Sequence, residues 1–366
     1  MRRHPRSLAP VLLAILALLA AACGGTAQPA PTTAPTTAPT TAPTTAPTAA
    51  PTVAAGELDA DTIAKAKAEG EVVLYTSLSS SDSKKIGDAF AKSEKAYGVK
   101  ITVNRKSSES LVTQFLTEAK AGKVLADVLE TGGLDLYQAI KAGYVDAWKA
   151  PAGAELPADL KDANGVWHAA RLGIETIAWN TTAVKAADAP KSFEDLADPK
   201  WKGKCLIEAN DVEVLLGLGE RKYKDSAKAQ DLLTRTMANC RPSDGHTETI
   251  DKLIAGEGAV FWGAHAHSTE QKKAAGAPVD YMTTEAVVTI DGPGLAKGAA
   301  HPNAGRVFIN WYLSAEGQKA LADLFRVPAK PGAANPKLLP KTAFYTGPTL
   351  AEKFTAYQEF WKNTVK

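Results

Sequence analysis

Residues 70–91 read GEVVLYTSLSSSDSKKIGDAFA and contain one copy of the pattern that repeats along the chain. The apolar run at 72–76 predicts a strand that is buried on both faces. The polar loop at 77–83 then leads into a predicted helix that carries Ile86 and Phe90 on one side. Because strand, polar loop and helix alternate in this way along the rest of the chain, we predict an α/β protein with mainly parallel sheets flanked by helices.

The pattern extends on both sides of this stretch. A short helix before it is predicted to be capped by Asp61 and Thr62 and to end at Gly70, because capping residues and glycine mark helix ends. Later apolar runs predict strands at 99–103, 126–129, 176–179, 204–207, 259–262 and 287–290. Helical spacing of apolar residues predicts helices after Ser108 and from Gly133, and at 212–218, 226–237, 247–255, 264–275, 303–313, 315–325 and 350–361.

The N-terminus has the features of an export signal. Three arginines within the first six residues precede an apolar stretch at 8–22, which is shorter than the roughly 20 apolar residues that span a bilayer. Small residues then lead to Cys23 and two glycines, which resembles the bacterial lipoprotein processing site. We therefore expect residues 1–22 to be a lipoprotein signal peptide and Cys23 to be lipidated. The alternative is cleavage at an Ala-x-Ala site that leaves Cys23 without a role.

Residues 23–56 are predicted to be a tether that follows the lipidated cysteine. From 26 to 55 the chain consists almost entirely of Thr, Ala and Pro, with a proline at every fourth position from Pro31 to Pro51. Such a composition cannot bury enough apolar surface to fold, and regular proline keeps the chain rather extended. The expected location of the protein is therefore the outer face of the cytoplasmic membrane, to which its lipid anchors it.

Length and charge narrow the classes of function. The 366 residues suit two lobes, and 45% hydrophobic with 22% charged residues is an ordinary globular composition. The formal net charge of +2 includes Arg2, Arg3 and Arg6, so that loss of residues 1–22 leaves −1. A nearly neutral body lacks the basic surface that nucleic acid requires, and no nucleic-acid partner is expected.

Cys205 and Cys240 are the two cysteines that remain beside Cys23. Two cysteines in an exported protein indicate a disulfide. By the chain-entropy model, a bridge across this loop contributes about 3–4 kcal/mol to stability, less any strain. The alternative is a pair of buried free thiols.

Three stretches resemble type II periplasmic binding proteins of the iron(III)/thiamine/phosphonate group, which are extracytoplasmic solute-binding components of bacterial ABC importers. They are 188–204 (DAPKSFEDLADPKWKGK), 73–77 (VLYTS) and 297–318 (KGAAHPNAGRVFINWYLSAEGQ). The resemblance implies two α/β lobes joined by hinge strands, the first formed by 57–171 plus 291–340 and the second by 172–290 plus 341–366. It also implies a monomer that binds a small solute between its lobes and passes it to a permease and its ATPase.

Ligands of open α/β lobes bind beyond the carboxyl ends of strands, where helix N-termini favour anions. In the first lobe, the loops at these positions supply the candidates Ser77, Ser79, Arg105, Thr131 and Gly132. Hydroxyls and glycines there permit close approach of a ligand to the backbone. The alternative is that these residues are simply good caps and turn formers.

In the second lobe the candidates are Arg171, Glu175, Asn210, Trp262 and His265. Arg171 lies near the expected hinge and can pair with a carboxylate or phosphate, and the alternative is a salt bridge with Glu175 or another neighbour. Trp262 can cover a ligand face or belong to the core, and His265 can donate a hydrogen bond or be a solvated cap. Asn210, taken together with the adjacent Asp211, is a weaker candidate, because the pair can also be a helix N-cap.

The resemblance also bears on the identity of the solute. Members that bind ferric ion use two adjacent tyrosines, a histidine and often an acidic residue. The position of the tyrosine pair falls at 264–267, which contain no tyrosine. The position of the histidine falls at or near Ser79, and that of the acidic residue falls near Gly132, with Glu130 close by. A small polar organic solute, anionic in character, is therefore expected rather than iron. The alternatives are ferric iron, another metal ion held by His265 and His267, or a receptor that serves sensing rather than import.

No motif of an enzyme is present in the sequence. It contains no Gly-x-Ser-x-Gly elbow, no P-loop and no His-Glu-x-x-His. We therefore expect neither catalysis nor a cofactor. A purely structural surface protein would account for an anchor and a tether, but it would not account for two α/β lobes with hydroxyl-rich strand ends.

Overall fold

The computed structural model describes residues 54–366, so the expected signal peptide, Cys23 and nearly all of the tether lie outside the described residues. The strands are β1 Glu71–Thr76, β2 Lys100–Arg105, β3 Val128–Gly132, β4 Val145–Asp146, β5 Arg171–Asn180, β6 Cys205–Glu208, β7 Cys240–Ser243, β8 Val260–His265, β9 Val279–Tyr281, β10 Glu285–Ala296, β11 Val327–Pro328 and β12 Thr342–Thr346. The helices are α1 Ala60–Glu69, α2 Ser80–Lys92, α3 Ser108–Lys120, α4 Gly133–Lys141, α5 Val212–Gly217, α6 Ser226–Met237, α7 His246–Ile254, α8 Ala266–Ala274, α9 Pro302–Leu313, α10 Ala315–Ala322 and α11 Ala351–Thr364.

The strands form one continuous sheet with two different halves. Its order is β2-β1-β3-β10-β5-β8-β6-β7, and the short strands β4, β9, β11 and β12 pair with β10 or β5. Neighbours within β2-β1-β3 and within β8-β6-β7 are parallel, as predicted. The two central strands, β10 and β5, run antiparallel to each other and to β3 and β8. They connect the two halves, and the sites at the carboxyl ends of the parallel strands therefore meet at the centre of the sheet.

Each half of the sheet has its own core. Around β1 and β3, the core contains Phe90, Phe308 and Trp311 in edge-on contact, so that α9 from late in the chain packs against α2 from early in the chain. Around β6 and β8, a second core contains Trp262 and Trp361, the latter from the last helix. The chain thus leaves the first half after β4 and returns to it through β10 and α9.

Several element ends differ from the prediction by a few residues. Helix α1 is capped by Asp59, whose carboxylate accepts a hydrogen bond from the Thr62 N–H at 2.8 Å, rather than by Asp61. Helix α2 already begins at Ser80 with Ser79 as its cap, so the predicted loop at 77–83 is shorter than expected. Strand β8 continues to His265, and the following helix therefore begins at Ala266 rather than at 264.

The predicted disulfide between Cys205 and Cys240 is confirmed. It joins β6 to β7, two parallel neighbours in which the cysteines are directly paired. Strand β7 was not predicted, because Arg241 and Pro242 interrupt its apolar character. Within residues 54–366, none of the helices is long and apolar enough to cross a membrane.

Candidate functional site

A buried ion-pair network lies on the central strands. Arg171, at the start of β5, donates from Nε to Glu130 Oε1 at 3.0 Å and from Nη1 to Asp291 of β10. All three side chains are less than a tenth exposed. Burial alone would lower the pKa of Arg171, but the charges of Asp291 and Glu130 hold it above its ordinary value. The guanidinium is therefore engaged inside the protein, with partners other than the predicted Glu175.

A second buried ion pair ties the first half together across a large sequence distance. Arg326 donates from Nε and Nη2 to Asp82 Oδ2 at 3.0 and 2.6 Å. Asp82 lies in the first turn of α2, and Arg326 follows α10. This pair places a second engaged guanidinium near the central strands. Burial lowers the pKa of His265, and the charges of His246 and Arg326 lower it further.

Beside these pairs lies a group that we call the acid–histidine cluster: Glu175, Asp211, His246 and His265. Glu175 belongs to β5, Asp211 precedes α5, His246 is the first residue of α7 and His265 is the last residue of β8. The rings of His246 and His265 are stacked, with centroids 3.9 Å apart and planes 13° from parallel. His246 Nε2 lies 3.6 Å from Asp211 Oδ1, and His265 Nε2 lies 3.8 Å from Glu175 Oε1.

The cluster has polar atoms without partners. Glu175 is 5% exposed and Asp211 2% exposed, yet Glu175 Oε2, Asp211 Oδ2 and His246 Nε2 are buried atoms without a hydrogen bond. Burial raises the pKa of Glu175 well above its usual value, and the charge of Asp211 raises it further. Burial likewise raises the pKa of Asp211, the charges of Glu208 and Glu213 add to this shift, and the side-chain interaction with the nearby Glu175 opposes it. Because an unpaired buried polar group is costly, atoms of this kind mark a place where a missing partner would bind.

Two residues outside the cluster hold its loops in place. Glu208, buried at the end of β6, accepts hydrogen bonds from the Asn210 N–H at 2.5 Å and from the Gly245 N–H at 3.0 Å. Trp361 of the last helix donates from Nε1 to the Ala209 carbonyl at 2.6 Å. One carboxylate therefore positions the residues directly before both Asp211 and His246, and the cluster is supported by the surrounding fold.

Gly263 is the residue that makes room for Asp211. It has φ +86°, and a β-carbon at this position would lie 1.7 Å from Asp211 Oδ2. We expect Gly263→Ala to lower the melting temperature, because positive φ costs an L-residue about 1–2 kcal/mol and the new methyl displaces the carboxylate. Gly276→Ala is the matched control, since Gly276 has φ +89° and nothing within 4 Å of its β-carbon position. Equal losses in the two variants would refute the close contact with Asp211.

A second group of acids joins the two halves. Burial, together with the charges of Glu109 and Asp291, raises the pKa of Asp135, on α4, to about 7. Burial, followed by the charge of Asp135, raises the pKa of Glu213 on α5 to about 8. A β-carbon at Gly132 would lie 3.7 Å from Asp291 Oδ1 and 3.8 Å from Asp135 Oδ2, so Gly132 leaves space between these acids.

These raised pKa values predict a decline in stability with rising pH. Asp135 and Glu213 remain protonated in the folded protein up to about pH 7 and 8, whereas they ionise near 4 when unfolded. Between about pH 4 and these folded-state pKa values, the unfolded state binds fewer protons than the folded state. The free energy of unfolding therefore decreases as pH rises through this range and levels off above it. We expect the melting temperature to fall between about pH 4.5 and 8 and to level off above that range.

The double variant Asp135→Asn, Glu213→Gln should flatten this profile, because neither new side chain titrates. Asp88→Asn serves as the control, since Asp88 is paired with Lys84, which lowers its pKa, and it remains ionised throughout the window. A melting temperature that rises with pH in the wild-type protein would contradict the direction of these shifts.

The predicted residues of the first half occupy strand ends, with differing roles. Ser79 Oγ accepts from the Asp82 N–H at 3.1 Å as the cap of α2, and the Ser77 N–H donates to the Glu130 carbonyl. Arg105 Nε donates to the Leu78 carbonyl at 2.8 Å. Thr131 is fully buried and its Oγ1 has no hydrogen-bond partner. Thr131 and Gly132 are thus the two that lie next to the network of Arg171.

In the second half, two predictions do not match the structure. Trp262 is fully buried in the core and packs edge-on against Phe193, so its ring does not cover a cleft. Asn210 is exposed and its side chain is not part of the cluster, whereas the adjacent Asp211 is. Because the charge of Arg171 is matched by Glu130 and Asp291, Arg171 is not a free cation for the anionic solute expected from the sequence.

His246, Asp135 and Glu213 were missed by sequence analysis. Each stands in the first turn of a helix that follows a strand, which is the same signal that identified the serine loops. For His246, the signal was hidden because strand β7 before it was not recognised. Asp211 was considered only together with Asn210, as a helix cap.

The side chains of the acid–histidine cluster and its neighbours are not arranged as a metal site. Across residues 54–366, no group of three or more His, Cys, Asp or Glu side chains is placed to hold a metal ion. The region 264–267, which corresponds to the tyrosine pair of ferric-binding proteins, presents His265 at a strand end and His267 in a helix. The two histidines therefore do not form a shared pair on one strand.

Comparison with known proteins identifies the class of this fold. A family model described as "Bacterial extracellular solute-binding protein" matches residues 133–347. The Fe(3+)-binding periplasmic protein of Serratia marcescens is 24% identical over 293 residues, which cover 75% of this chain and 84% of that protein. Iron-bound HitA from Pseudomonas aeruginosa has a TM-score of 0.71 at 22% identity, covering 80% of this chain and 99% of its own. AfuA from Actinobacillus pleuropneumoniae, with fructose-6-phosphate bound, has a TM-score of 0.71 at 20% identity, covering 81% and 98%. The predicted two-lobed fold of type II periplasmic binding proteins is confirmed.

Proposed function

Since this chain belongs to the bacterial extracellular solute-binding protein family, we propose that it captures a small polar solute between two lobes and delivers it to the permease and ATPase of an ABC importer. The observation that carries the proposal is that polar groups from both halves of the sheet meet at β5 and β10. Asp135 of the first half lies close enough to Glu213 of the second for its charge to raise the pKa of Glu213. A solute bound there contacts both halves at once.

We place the first lobe at 57–171 plus 291–340 and the second at 172–290 plus 341–366. The core around Phe90 and Trp311 draws its residues from 58–170 and 290–329, which supports the first assignment. Strand β12 pairs with residues 285–289 of β10, and α11 packs on the second core, which supports the return of the chain to the second lobe. Only β5, β10 and the segment before β12 then pass between the lobes.

The mechanism we propose is closure of the lobes over the solute. A ligand that contacts both lobes binds the closed form better than the open form and therefore stabilises it. The closed protein is the form that the permease recognises, and the solute leaves when the lobes separate. The protein itself catalyses no reaction in this scheme and acts as a monomer.

A thermal-shift screen of residues 57–366, unfolded and refolded to remove bound ligand, tests solute capture. Ligand at 100 times its Kd adds about 2.7 kcal/mol to stability. We expect this gain to raise the melting temperature by about 4 °C for a protein of this size. The panel includes organic anions, amines, sugars, sugar phosphates and metal salts. If no compound of any class shifts the transition, the proposed function is rejected.

We further propose that Cys23 carries a lipid after removal of residues 1–22, so that residues 23–56 tether the protein to the outer face of the cytoplasmic membrane. Replacing Cys23 by alanine should release the protein from the membrane fraction into the soluble extracytoplasmic fraction. The other cysteines remain bridged and do not affect the outcome. Equal membrane association of variant and wild type would contradict the anchor.

Ferric iron is a second candidate, because the Serratia relative is described as Fe(3+)-binding and HitA was solved with iron bound. Fe(III) favours hard, anionic oxygen ligands, and Glu175, Asp211 and Glu213 supply carboxyl oxygens in the region where the lobes meet, but within residues 54–366 they are not placed around one metal position. Titration with ferric citrate, followed by protein-bound iron after gel filtration, tests this candidate. Stoichiometric iron that is lost in Asp211→Asn would establish it.

A further inference from the structure

We propose that the acid–histidine cluster binds the ammonium group of a small organic solute. This proposal rests on the proposed function and names the class of solute that the site selects. It replaces the anionic solute expected from the sequence, because the arginine that suggested an anion is engaged by two buried carboxylates.

The unpartnered atoms of the cluster match the hydrogen-bonding capacity of an ammonium group. Glu175 Oε2 and Asp211 Oδ2 are acceptors in their ionised form, and His246 Nε2 is an acceptor in one neutral tautomer. An ammonium has three N–H donors and no acceptor, so the number of its donors equals the number of these unpartnered atoms. Hydrogen bonds between a cation and a carboxylate are also the strong ones, particularly in a site that excludes water.

The charge of the cluster also favours a cationic solute. The cations near it already have anionic partners: Arg171 pairs with Glu130 and Asp291, and Arg326 pairs with Asp82. In the described part of the chain, the ion-pair contacts of Glu175 and Asp211 are with histidine only. Burial raises the pKa of both carboxyls and so favours their protonated form, whereas a bound ammonium group would compensate the charge of their ionised form.

The geometry favours an organic cation over a metal ion. The lone pair of an imidazole nitrogen lies in the ring plane, and the planes of His246 and His265 are stacked 3.9 Å apart at 13°. A metal ion in the plane of one ring consequently lies outside the plane of the other. An ammonium hydrogen bond tolerates this arrangement, because it requires one nitrogen of the pair and not both.

The cluster is held rigidly enough to act as a binding site. Glu208 fixes the backbone before Asp211 and before His246, and Trp361 fixes the carbonyl of Ala209. Gly263 leaves space for the Asp211 carboxylate where any side chain would occupy it. A binding group that is fixed in this way before the solute arrives loses little entropy on binding.

The experiment compares matched compounds that differ in charge. Refolded residues 57–366 are melted with 1,3-diaminopropane, 1,4-diaminobutane, ethanolamine and 4-aminobutanoate, and with 1,4-butanediol, succinate, MnCl2 and ZnCl2. We expect at least one amine to raise the melting temperature and the diol to have no effect. For that amine, Glu175→Gln and Asp211→Asn should each weaken binding at least tenfold by calorimetry. Both substitutions preserve side-chain shape.

Glu194→Gln is the control, since Glu194 is a carboxylate of the same half that pairs with Lys222 away from the cluster. It should change amine affinity by less than twofold. Stabilisation by succinate, the diol or a metal salt, with none by an amine, would overturn the ammonium assignment and leave solute capture intact. Amine binding that survives Glu175→Gln and Asp211→Asn would overturn the assignment of the site. If no compound of any class binds, both proposals fail together.

Discussion

Replacing Arg171 by methionine is expected to lower the free energy of unfolding by about 3–5 kcal/mol, since removing one partner leaves buried charge uncompensated. Glu130 and Asp291 are 1% and 6% exposed and both depend on this guanidinium. Methionine has a similar length, so the loss reports on charge and hydrogen bonding more than on volume. Urea denaturation followed by circular dichroism measures the effect.

Two comparisons separate this explanation from a packing defect. Arg235→Met removes an exposed arginine that pairs with Asp231 on α6 and should cost at most about 1 kcal/mol. Adding Glu130→Gln and Asp291→Asn to Arg171→Met should recover part of the loss, because the buried charges are then absent. If Arg171→Met alone costs less than about 1 kcal/mol, the network does not stabilise the central strands.

Replacing both Cys205 and Cys240 by alanine is expected to lower the free energy of unfolding by about 3–4 kcal/mol, because the unfolded chain regains the freedom of a long loop. The bridge closes a sequence separation of 35 between the neighbouring strands β6 and β7. Urea denaturation with and without dithiothreitol provides the test. The wild-type protein should become less stable in reductant, whereas the double variant should be insensitive to it.

The same double variant reports on the solute site. The loops that follow β6 and β7 carry Asp211 and His246, and Glu208 connects them independently of the bridge. Solute affinity should therefore change much less than global stability. A wild-type protein whose unfolding transition is identical with and without reductant would contradict the stabilising role of the disulfide.

The alternating elements could be predicted from sequence because each depends on local patterns. Helix α6 occurs at the predicted residues 226–237, since Asp225 caps it and its apolar residues follow helical spacing. The short strands β4, β9, β11 and β12 were missed because they exist only through pairing with the long central strands. Antiparallel pairing at the centre was missed for the same reason, since it depends on where β10 returns in the chain.

Sequence analysis predicted the location of the candidate site better than it predicted which side chains and charges form it. Strand ends indicate where a ligand approaches, and His265 was found in this way, whereas Glu175 was chosen for its place near the expected hinge. The partners of Arg171 could not be derived, since Glu130 and Asp291 lie 41 and 120 residues away in sequence. Trp262 shows the opposite error, because an aromatic residue at a strand end is compatible with core and cleft alike, and burial decides between them.

The return of the chain through β10 and α9 also governs the order in which the protein can fold. Arg326 meets Asp82 across a separation of 244 residues, and His301 meets Asp127 across 174. Contacts of such long range form late, because loop closure must come before they stabilise anything. The strands β1 to β3 emerge first during synthesis, but they lack their neighbour β10 until residues 172–284 have been made. The half of the molecule that begins first therefore stays incomplete for most of the synthesis of the chain.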